Sequence, residues 1–493
     1  MTTASARAGV AAGSVVLPLA LAQFVASYAG SNMNVAISTI ADDIGTSVVG
    51  MQTTITLFTL TMASLMIPGS KLTDIWGRKT CFMWGLGVYG TGALLASFSQ
   101  GLPLMIFGYS LLEGVGSALL IPPIYILITV LFQDTKSRAK YFGMVSGAAG
   151  LGAAAGPLIG GLVTSAVSWR ASFILQVLIV ALVALLARKI DDPPRAGAAP
   201  HFDLAGAVLS AAGLFFVVFG ILQSSTYGWF SSRKDFTVGG TVVIPQGGIS
   251  PVWLFFVVGA LFLLWFFLHI RSTERKGHDP LVAIRLFRNR TSNLGLTTQT
   301  IQWLTMQGSF FVISVFLQQV RGYDAIQTGL MLTPTTIGVL LAAGAAERLA
   351  RRRSQRFLIR RGFGVMIIGL VLVLWLAHAD SANWTYMPGL FLVGAGIGVM
   401  LTSSVNVVQS AFPEKDQGDI SGVSRSVSNL GSSLGVALAG SVLAATNVPG
   451  DKTFAVSLII MIVIAVIGFV AALLIPKDRP QRVVPAREPS AAQ

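Results

Sequence analysis

Fourteen long apolar runs divide this sequence, and they restrict its fold more than any other feature. The runs show no strict alternation of apolar and polar residues, so each predicts a membrane-spanning helix rather than a strand of a β-barrel. With 53% hydrophobic and 11% charged residues, the 493-residue chain also has too little polar surface to fold as a soluble protein. We expect spans at 15–39, 50–69, 80–98, 103–131, 140–166, 170–188, 203–223, 251–270, 292–317, 326–346, 362–379, 385–410, 418–446 and 453–475, with each end placed to within about four residues.

Basic residues lie almost entirely on one side of the predicted spans. An even number of spans puts both termini, Met1 and Gln493, on that side, whose segments hold 28 Lys and Arg against 5 on the other, with Arg425 inside a span. The positive-inside rule makes the basic side cytoplasmic. The net charge of +14 therefore reflects membrane topology, and nucleic-acid binding is not expected.

The stretch at 146–161 is built almost entirely of Gly, Ala and Ser and lies inside an apolar run. Small side chains let two helix backbones approach closely, because helices in lipid associate through packing and interhelical contacts. We therefore expect this helix to lie at an interface between helices, and we expect Gly156-Pro157 to kink it. A membrane helix that is only tightly packed, without a further role, is the alternative.

The sequence G-A-A-A-G-P-L-I-G-G at 152–161 resembles the antiporter motif of the fifth helix in major facilitator superfamily drug exporters. The motif residues are Gly152, Gly156, Pro157, Gly160 and Gly161. We expect Gly152, Gly156 and Gly160 to pack between the two halves of the protein. The order of six spans, a Pro-rich linker, two spans, a basic linker and six spans likewise resembles the fourteen-helix drug:proton antiporters of that superfamily.

This resemblance implies an all-α integral membrane fold of two six-helix bundles of the major facilitator type with two inserted central helices. The expected domains are an N-terminal bundle at 1–190, the inserted helices at 191–284, a C-terminal bundle at 285–476 and a cytoplasmic tail at 477–493. In the external segment 227–251, β-branched residues flank two adjacent glycines and predict a hairpin. The hairpin either covers the external mouth of the transporter or is a loop without a role.

A loop motif between the second and third spans resembles the superfamily pattern G-x-L-x-D-R-x-G-R-K, with Ile75 in place of the usual Arg. A carboxylate at a helix end can bind a facing helix N-terminus or an Arg and release it when the halves separate, so we expect a conformational latch. The expected partner of Asp74, when the cavity opens outward, is Arg425, the N-terminus of the span that carries Arg425, or both. The alternatives are a purely topogenic loop and an Arg425 that only extends to the membrane interface. The matching loop residues are Gly69, Asp74, Gly77, Arg78 and Lys79.

Two departures from the family pattern concern polar residues inside spans. In span one the usual membrane Asp is absent, which leaves Asn32 and Asn34 either to face a cavity or to bind a neighbouring helix. In span four, Ser110 and Glu113 replace the usual Arg and Gln. We expect Glu113 to carry the proton, because a carboxylate deep in a span is costly when charged and often relays protons. A hydrogen-bonded packing residue is the alternative.

Span nine combines amides, aromatic rings and Met in a way that lipid-facing helices do not. We expect it to line a substrate cavity, because apolar walls with a few polar groups suit amphipathic ligands and Met adapts to varied shapes. Packing through Gln pairs is the alternative. Besides Asn32 and Asn34 of span one, the predicted cavity residues are Gln299, Gln302, Trp303, Met306, Gln307 and Phe310.

The resemblance implies a multidrug exporter of a bacterial cytoplasmic (inner) membrane that exchanges small amphipathic compounds for protons by alternating access. A lipid or glycolipid exporter on the same scaffold and a non-transporting membrane receptor or scaffold are the alternatives. An enzymatic site, a cofactor and a metal site are not expected, since no His, Cys or carboxylate cluster has suitable spacing and Cys81 is the single cysteine. The expected partners are the substrate, protons and membrane lipids, and the protein is expected to act as a monomer.

Overall fold

Fourteen long helices make up most of the described chain in the computed structural model. The structure describes residues 2–132, 135–190, 202–350, 352–378, 380–412, 417–443 and 451–476. Met1, the linker at 191–201 and the tail at 477–493 lie outside these ranges, so the expectations for them stay predictions. The long helices are α1 (Thr2–Asn32), α2 (Val48–Trp76), α3 (Arg78–Ser97), α4 (Leu102–Met105, Ile106–Glu113 and Gly114–Leu131), α5 (Thr135–Ala166), α6 (Trp169–Ala187), α7 (Leu204–Tyr227), α8 (Pro251–Arg275), α9 (Arg290–Val315 and Phe316–Val320), α10 (Ala325–Ala350), α11 (Gln355–Leu376), α12 (Met387–Gln409), α13 (Gln417–Leu443) and α14 (Asp451–Leu474).

These helices have the lengths and compositions of membrane spans. Twelve of them are long and apolar enough to cross a bilayer, and the bent helix α5 would be a thirteenth. The remaining helix, α3, contains four glycines and begins with Arg78 and Lys79, which lower its mean hydropathy. The predicted all-α integral membrane fold is confirmed, and fourteen crossings are compatible with these helices.

The first predicted span differs from the structure at both ends, since α1 begins at Thr2 rather than near residue 15. We expected a helix up to residue 39, but α1 ends at Asn32 and continues as a 3₁₀ turn, Met33–Val35. A short helix, Ile37–Asp43, follows before α2 begins. The chain therefore leaves regular α-helical geometry in the stretch where the family pattern is also broken.

Two local features shape the helices around the predicted motifs. Gly77 alone separates α2 from α3 and has a φ of 101°, a conformation that favours glycine. Helix α5 bends by 42° between Gly147–Ala153 and Ala155–Ala166. Because the ring of Pro157 displaces the carbonyl four residues earlier, the bend lies where the sequence predicts it.

Contacts between helices define two groups and a central pair. In the N-terminal group, α1 packs on α5 and α6, while α3 packs on α4 and α6 and α2 packs on α4. In the C-terminal group, α12 packs on α10 and α11, and α9 packs on α13 and α14. The central pair consists of α7 and α8, which pack on each other, and α7 also contacts α2 and α13.

The two groups meet along two helix pairs, α2 with α13 and α5 with α10, and we call this contact the seam. The connections α2–α3 and α10–α11 lie at one end of the molecule, which we call the basic end because of its Lys and Arg clusters. The connections α1–α2 and α9–α10 lie at the other end, which we call the opposite end. The seam therefore runs between two chemically different ends.

The predicted hairpin between α7 and α8 is present. Strand β1 (Phe236–Val238) pairs antiparallel with β2 (Thr241–Ile244), and the two glycines between them have φ values of 58° and 84°. Such positive φ values match the tight two-residue turns that join the strands of a β-hairpin. The Phe236 ring contacts the rings of Tyr227 and Phe255. The hairpin therefore packs on the ends of the central pair.

Candidate functional site

A central cavity lies between the N-terminal and C-terminal groups. Residues of α1, α2, α4 and α5 line one wall, and residues of α9 and α13 line the other. The walls mix apolar side chains, such as Phe58, Met62 and Met306, with hydroxyl and amide groups. Because both groups of helices contribute, movement of one group against the other changes access to this space.

One face of α13 supplies much of the polar wall. Its cavity-lining residues are spaced by three and four positions, so they lie on one side of the helix. They are Arg425, Ser428, Asn429 and Ser432. The Arg425 guanidinium lies over the Tyr125 ring, 4.5 Å from its centroid, and also donates a hydrogen bond to the Tyr125 hydroxyl. Arg425 is the one charged side chain among the described residues that line the cavity.

Helix α9 contributes three of the residues that the sequence predicts in the cavity, Trp303, Met306 and Gln307. Gln307 also reaches across to the N-terminal group, since its Nε2 donates a hydrogen bond to the Gly30 carbonyl at 3.2 Å. This face of α9 therefore both lines the cavity and contacts α1.

The other three predicted residues of α9 lie outside the described lining. Gln299 accepts a hydrogen bond from the Ser424 hydroxyl at 2.9 Å, and Gln302 accepts one from the Ser404 hydroxyl at 2.8 Å. Phe310 is packed in the apolar core and is 5% exposed. In this conformation both glutamines act as contacts between helices of the C-terminal group, which is the alternative that the sequence left open.

Asn32 and Asn34 of the first span are buried and do not belong to the described cavity lining. The Asn32 amide donates a hydrogen bond at 2.8 Å to the Ser172 hydroxyl of α6, which is 2.5 Å from the Tyr28 hydroxyl. Asn34 instead offers its backbone carbonyl to Gln318 of α9. Both residues therefore contact neighbouring helices rather than the cavity.

Glu113 is fully buried inside the N-terminal group and does not line the central cavity. It ends the π-helical segment of α4, and Tyr89 of α3 lies beside its carboxyl group. The Tyr89 hydroxyl donates to Gln176 Oε1 at 2.5 Å and lies 3.3 Å from the Val25 carbonyl oxygen. Neither carboxyl oxygen of Glu113 forms a hydrogen bond of normal distance and angle with another described residue. The cost of burying this group is therefore lowest when it is protonated.

The π-helical geometry of α4 accompanies an unusually close approach to α3. A Cβ atom at Gly92 of α3 would lie 2.6 Å from the Glu113 amide nitrogen and 2.7 Å from the Gly108 carbonyl oxygen. Only glycine allows the two backbones to come this near. Since π-helical turns are frequent at functional sites, the π-helical segment that ends at Glu113 makes this residue a candidate functional residue.

The glycines of the antiporter-like motif pack against α1, within the N-terminal group. A Cβ atom at Gly152 would overlap a carbonyl oxygen of α1, and one at Gly156 would overlap the Ser31 hydroxyl. A Cβ atom at Gly160 would lie 2.9 Å from Asn32 Cβ. The expectation that these three glycines lie between the two halves is therefore wrong, because α5 turns this face toward α1.

The remaining motif residues make the contact of α5 across the seam. A Cβ atom at Gly161 would overlap the Ala325 carbonyl oxygen at the start of α10. A Cβ atom at Gly329 of α10 would lie 2.7 Å from the Pro157 carbonyl oxygen. Close packing between α5 and α10 thus depends on Pro157 and Gly161. Gly161 directly follows Gly160, which was predicted at the interface between the halves.

Hydrogen bonds join the N-terminal and C-terminal groups at the opposite end. Gln318 of α9 donates to the Asn34 carbonyl at 3.1 Å, and Gln52 of α2 donates to the Ala437 carbonyl of α13 at 3.2 Å. The Ser165 hydroxyl of α5 accepts a hydrogen bond from a backbone N–H at the start of α10, at 3.0 Å. The opposite end is therefore held by contacts that use no charged side chain.

An ion pair bridges the seam at the basic end. Lys71 Nζ of α2 lies 3.1 Å from Asp419 Oδ1 of α13. Next to it, a Cβ atom at Gly422 of α13 would lie 3.3 Å from Ser70 Cβ. Neither charged partner was among the predicted latch residues, although Lys71 lies inside the loop motif and Asp419 is an acidic residue at the start of a span.

The predicted latch residues have separate places in the structure. A Cβ atom at Gly69 would overlap a carbonyl oxygen of α4, so Gly69 permits the close packing of α2 and α4. Arg78 begins α3, and Lys79 Nζ donates a hydrogen bond to the Arg188 carbonyl at 2.8 Å. Asp74 lies in the last turn of α2.

The predicted contact between Asp74 and Arg425 is not formed in this conformation. Arg425 contacts Tyr125, and the ion pairs within the described chain do not include Arg425. That contact was expected when the cavity opens outward, and it stays a prediction. No group of three or more His, Cys, Asp and Glu in the described ranges could hold a metal ion.

Comparison with known proteins gives a consistent family. The sequence model of the Major Facilitator Superfamily matches residues 19–436. The multidrug resistance protein Stp of Mycobacterium tuberculosis is 27% identical over 413 residues, which cover 84% of this chain and 72% of that protein. The probable actinorhodin transporter of Streptomyces coelicolor is 28% identical over 423 residues, which cover 84% of this chain and 69% of that protein. The puromycin resistance protein pur8 of Streptomyces alboniger is 28% identical over 424 residues, which cover 85% of this chain and 80% of that protein.

Proposed function

Because the chain belongs to the major facilitator superfamily, we propose that it exports small amphipathic compounds in exchange for protons by alternating access. The observation that carries this proposal is the central cavity, which both groups of helices line and which lies between seam contacts at the two ends. Relatives named for multidrug resistance, actinorhodin transport and puromycin resistance support a small-molecule substrate.

The seam contacts suit alternating access because each end is held by a few weak interactions. A neutral hydrogen bond such as Gln52 to Ala437 contributes about 0.5–1.5 kcal/mol. The partly exposed Lys71–Asp419 pair contributes on the order of 1 kcal/mol or less. These polar contacts across the seam therefore contribute only a few kcal/mol to the free-energy difference between the two states. Differential binding of a substrate or a proton to the two states can supply this difference.

The walls of the cavity support an amphipathic substrate. Trp303, Phe58 and two Met side chains offer apolar and adaptable surface, while Ser27 and Asn429 offer hydrogen bonds. A cavity that is mostly apolar, with a small number of polar groups, binds and orients compounds that combine both characters. The cavity thus favours such compounds over small polar metabolites.

In this proposal Glu113 carries the proton. It is the one carboxylate in the described chain that is fully buried, and a carboxylate at such depth is a functional candidate. Coupling to the substrate runs through α1, which presents Ser27 and Ser31 to the cavity and the Val25 carbonyl to Tyr89. A shift of α1 on substrate binding then alters the surroundings of Glu113.

The proposed orientation places the basic end and both termini in the cytoplasm of a bacterial cell, because the predicted topology puts 28 of the Lys and Arg residues on that side. The proposed domains keep the boundaries 1–190, 191–284, 285–476 and 477–493. The proposed transporting unit is a monomer, since one chain forms the whole described cavity. Labelling of single cysteines at Arg352 and Asp42, in a Cys81→Ser background, tests the orientation, and external labelling at position 352 would contradict it.

Efflux from sealed vesicles, with and without an imposed pH gradient, tests the function. Vesicles containing the protein should extrude several chemically distinct dyes faster than empty vesicles, and the pH gradient should drive this extrusion uphill. Efflux of a labelled lipid alone would replace the proposal with a lipid exporter. No transport of dye or lipid would leave a receptor or scaffold as the better account.

A further inference from the structure

We propose that the cavity selects amphipathic compounds that carry an acidic group, and that Arg425 is the residue that binds this group. The inference rests on the proposed export function and names the substrate class of the same cavity. Arg425 is the one charged side chain among the described lining residues, so these residues give the cavity a fixed positive charge and no negative one. A carboxylate or phenolate oxygen is attracted by this charge, whereas a cationic compound is repelled.

The contacts of Arg425 leave it able to bind a ligand. A guanidinium carries a permanent charge and five N–H donors. In the described chain its hydrogen bond goes to the Tyr125 hydroxyl, and none of the ion pairs includes it. The Tyr125 ring covers one face of the planar group and leaves its edge, which is the part that binds a carboxylate through two parallel hydrogen bonds.

Asp419 and Glu113, the carboxylates of α13 and α4, do not neutralise this charge. Asp419 lies on α13 less than two turns before Arg425, but it pairs with Lys71. Glu113 lies inside the N-terminal group and does not line the cavity. An acidic ligand would therefore supply the counter-charge that the described protein groups do not.

The position of Arg425 also suits the capture of a compound that comes from the basic end. A second, smaller cavity is lined by Arg425 together with Ser70, Ile126 and Gly422. Arg425 thus belongs to both spaces and lies between them. Ser428, Asn429 and Ser432 continue the polar face of α13 into the central cavity, where Trp303 provides an aromatic surface. The acidic group of a ligand fits at Arg425 and its apolar body fits beside Trp303.

Binding of two matched probes tests the assignment. The purified full-length protein, in nanodiscs of zwitterionic phosphatidylcholine, is titrated with 9-anthracenecarboxylate and with the neutral 9-anthracenecarboxamide. Wild-type protein should bind the acid on the order of tenfold more tightly than the amide. Added NaCl should weaken binding of the acid and leave binding of the amide unchanged.

Variants then identify the group responsible for this preference. Arg425→Gln should make the two affinities similar, because it should weaken binding of the acid and leave binding of the amide unchanged. Arg425→Lys should keep part of the preference for the acid because it keeps the charge. Arg348→Gln is the matched control, since it removes a positive charge from the exposed end of α10. Retained binding of the amide shows that a variant is folded.

Equal affinities of the acid and the amide in wild-type protein would overturn the proposal, even if Arg425→Gln does not fold. An acid preference that survives in a folded Arg425→Gln variant would overturn it as well. Dye efflux from vesicles reports separately on the proposed function. Gradient-driven efflux without an acid preference removes this inference only, whereas an acid preference without efflux removes the export function only.

Discussion

Lys71 of α2 and Asp419 of α13 form an ion pair across the seam, with 3.1 Å between Nζ and Oδ1. Their side chains are 16% and 26% exposed, so the pair is partly shielded from water. Of the ion pairs formed within the described residues, this pair alone joins the N-terminal and C-terminal groups. It therefore stabilises the conformation in which the basic end of the seam is closed.

Lys71→Met should shift the protein toward a conformation that is open at the basic end. The pair is worth on the order of 1 kcal/mol or less, so the ratio of open to closed molecules should rise by up to about fivefold. Spin labels at Thr80 and Arg352, in a Cys81→Ser background, report the distance between the groups at this end. The double variant Lys71→Asp/Asp419→Lys should return the distances to those of the parent. Unchanged distances in Lys71→Met would show that the pair does not control opening.

Gly161→Leu should prevent the opposite end of the seam from closing. The added side chain would overlap the Ala325 carbonyl oxygen of α10, and overpacking of this kind costs about 1–3 kcal/mol. Gly147→Leu is the matched control, because a Cβ atom at Gly147 has no neighbour within 4 Å. Labels at Asp42 and Trp384 should separate in the first variant and not in the second, and transport should fall in the first alone. Equal behaviour of the two variants would refute the close contact.

Glu113→Gln should abolish gradient-driven efflux and leave substrate binding intact. The substitution keeps the size of the side chain and removes its ability to exchange a proton, so it separates proton coupling from packing. Glu113→Asp should retain part of the coupling. Efflux into a pH gradient and equilibrium binding, measured on the same preparation, check this expectation. Full uphill efflux in Glu113→Gln would make Glu113 a packing residue.

Asp43 should make a small contribution to stability that disappears in acid. Its carboxylate accepts hydrogen bonds from Arg170 at 2.5 Å and from Trp169 at 3.1 Å, and these bonds, the Arg170 bond first, lower its pKa below the ordinary value of 3.8. A lowered pKa in the folded state means that the contribution is present at neutral pH and is lost as the pH falls through that pKa.

Asp43→Asn tests this contribution. It should destabilise the protein at neutral pH by less than about 1 kcal/mol, because the carboxylate is 44% exposed. Thermal unfolding of wild type and variant should converge at acidic pH, once Asp43 is protonated in both the folded and unfolded wild type. Asp42→Asn, which removes the neighbouring exposed carboxylate, is the control. A difference that persists in acid would contradict the assignment.

The helices and the hairpin could be predicted because their causes are local. The length of an apolar run determines whether it can cross a bilayer, and two adjacent glycines supply the positive φ values of a tight turn. The depth of Glu113 in its span followed from the same count of residues. These features depend on the chain near each residue and little on distant contacts.

The orientation of each helix about its axis could not be predicted, because distant packing determines it. Gln302 and Trp303 are adjacent polar and aromatic residues, yet Trp303 lines the cavity while Gln302 binds Ser404. The glycine face of α5 required a close neighbour, but the pattern did not reveal that this neighbour is α1. The ion pair of Lys71 was missed for the same reason, since its partner lies 348 residues away in sequence.

The central pair has a mechanical consequence for the movement of the two groups. Ile221 of α7 packs in one apolar cluster with Leu57 of α2 and Ala437 of α13, which belong to different groups. At its other end the chain entering α7 is anchored by polar contacts of Asp203 with His269 of α8 and the Leu281 amide. Apolar contacts have no preferred direction, so the contacts of Ile221 do not require one fixed position of α7 along α2. The apolar cluster around Ile221 therefore lets the central pair cover one flank of the seam through contacts that need no fixed hydrogen-bond geometry between the two groups.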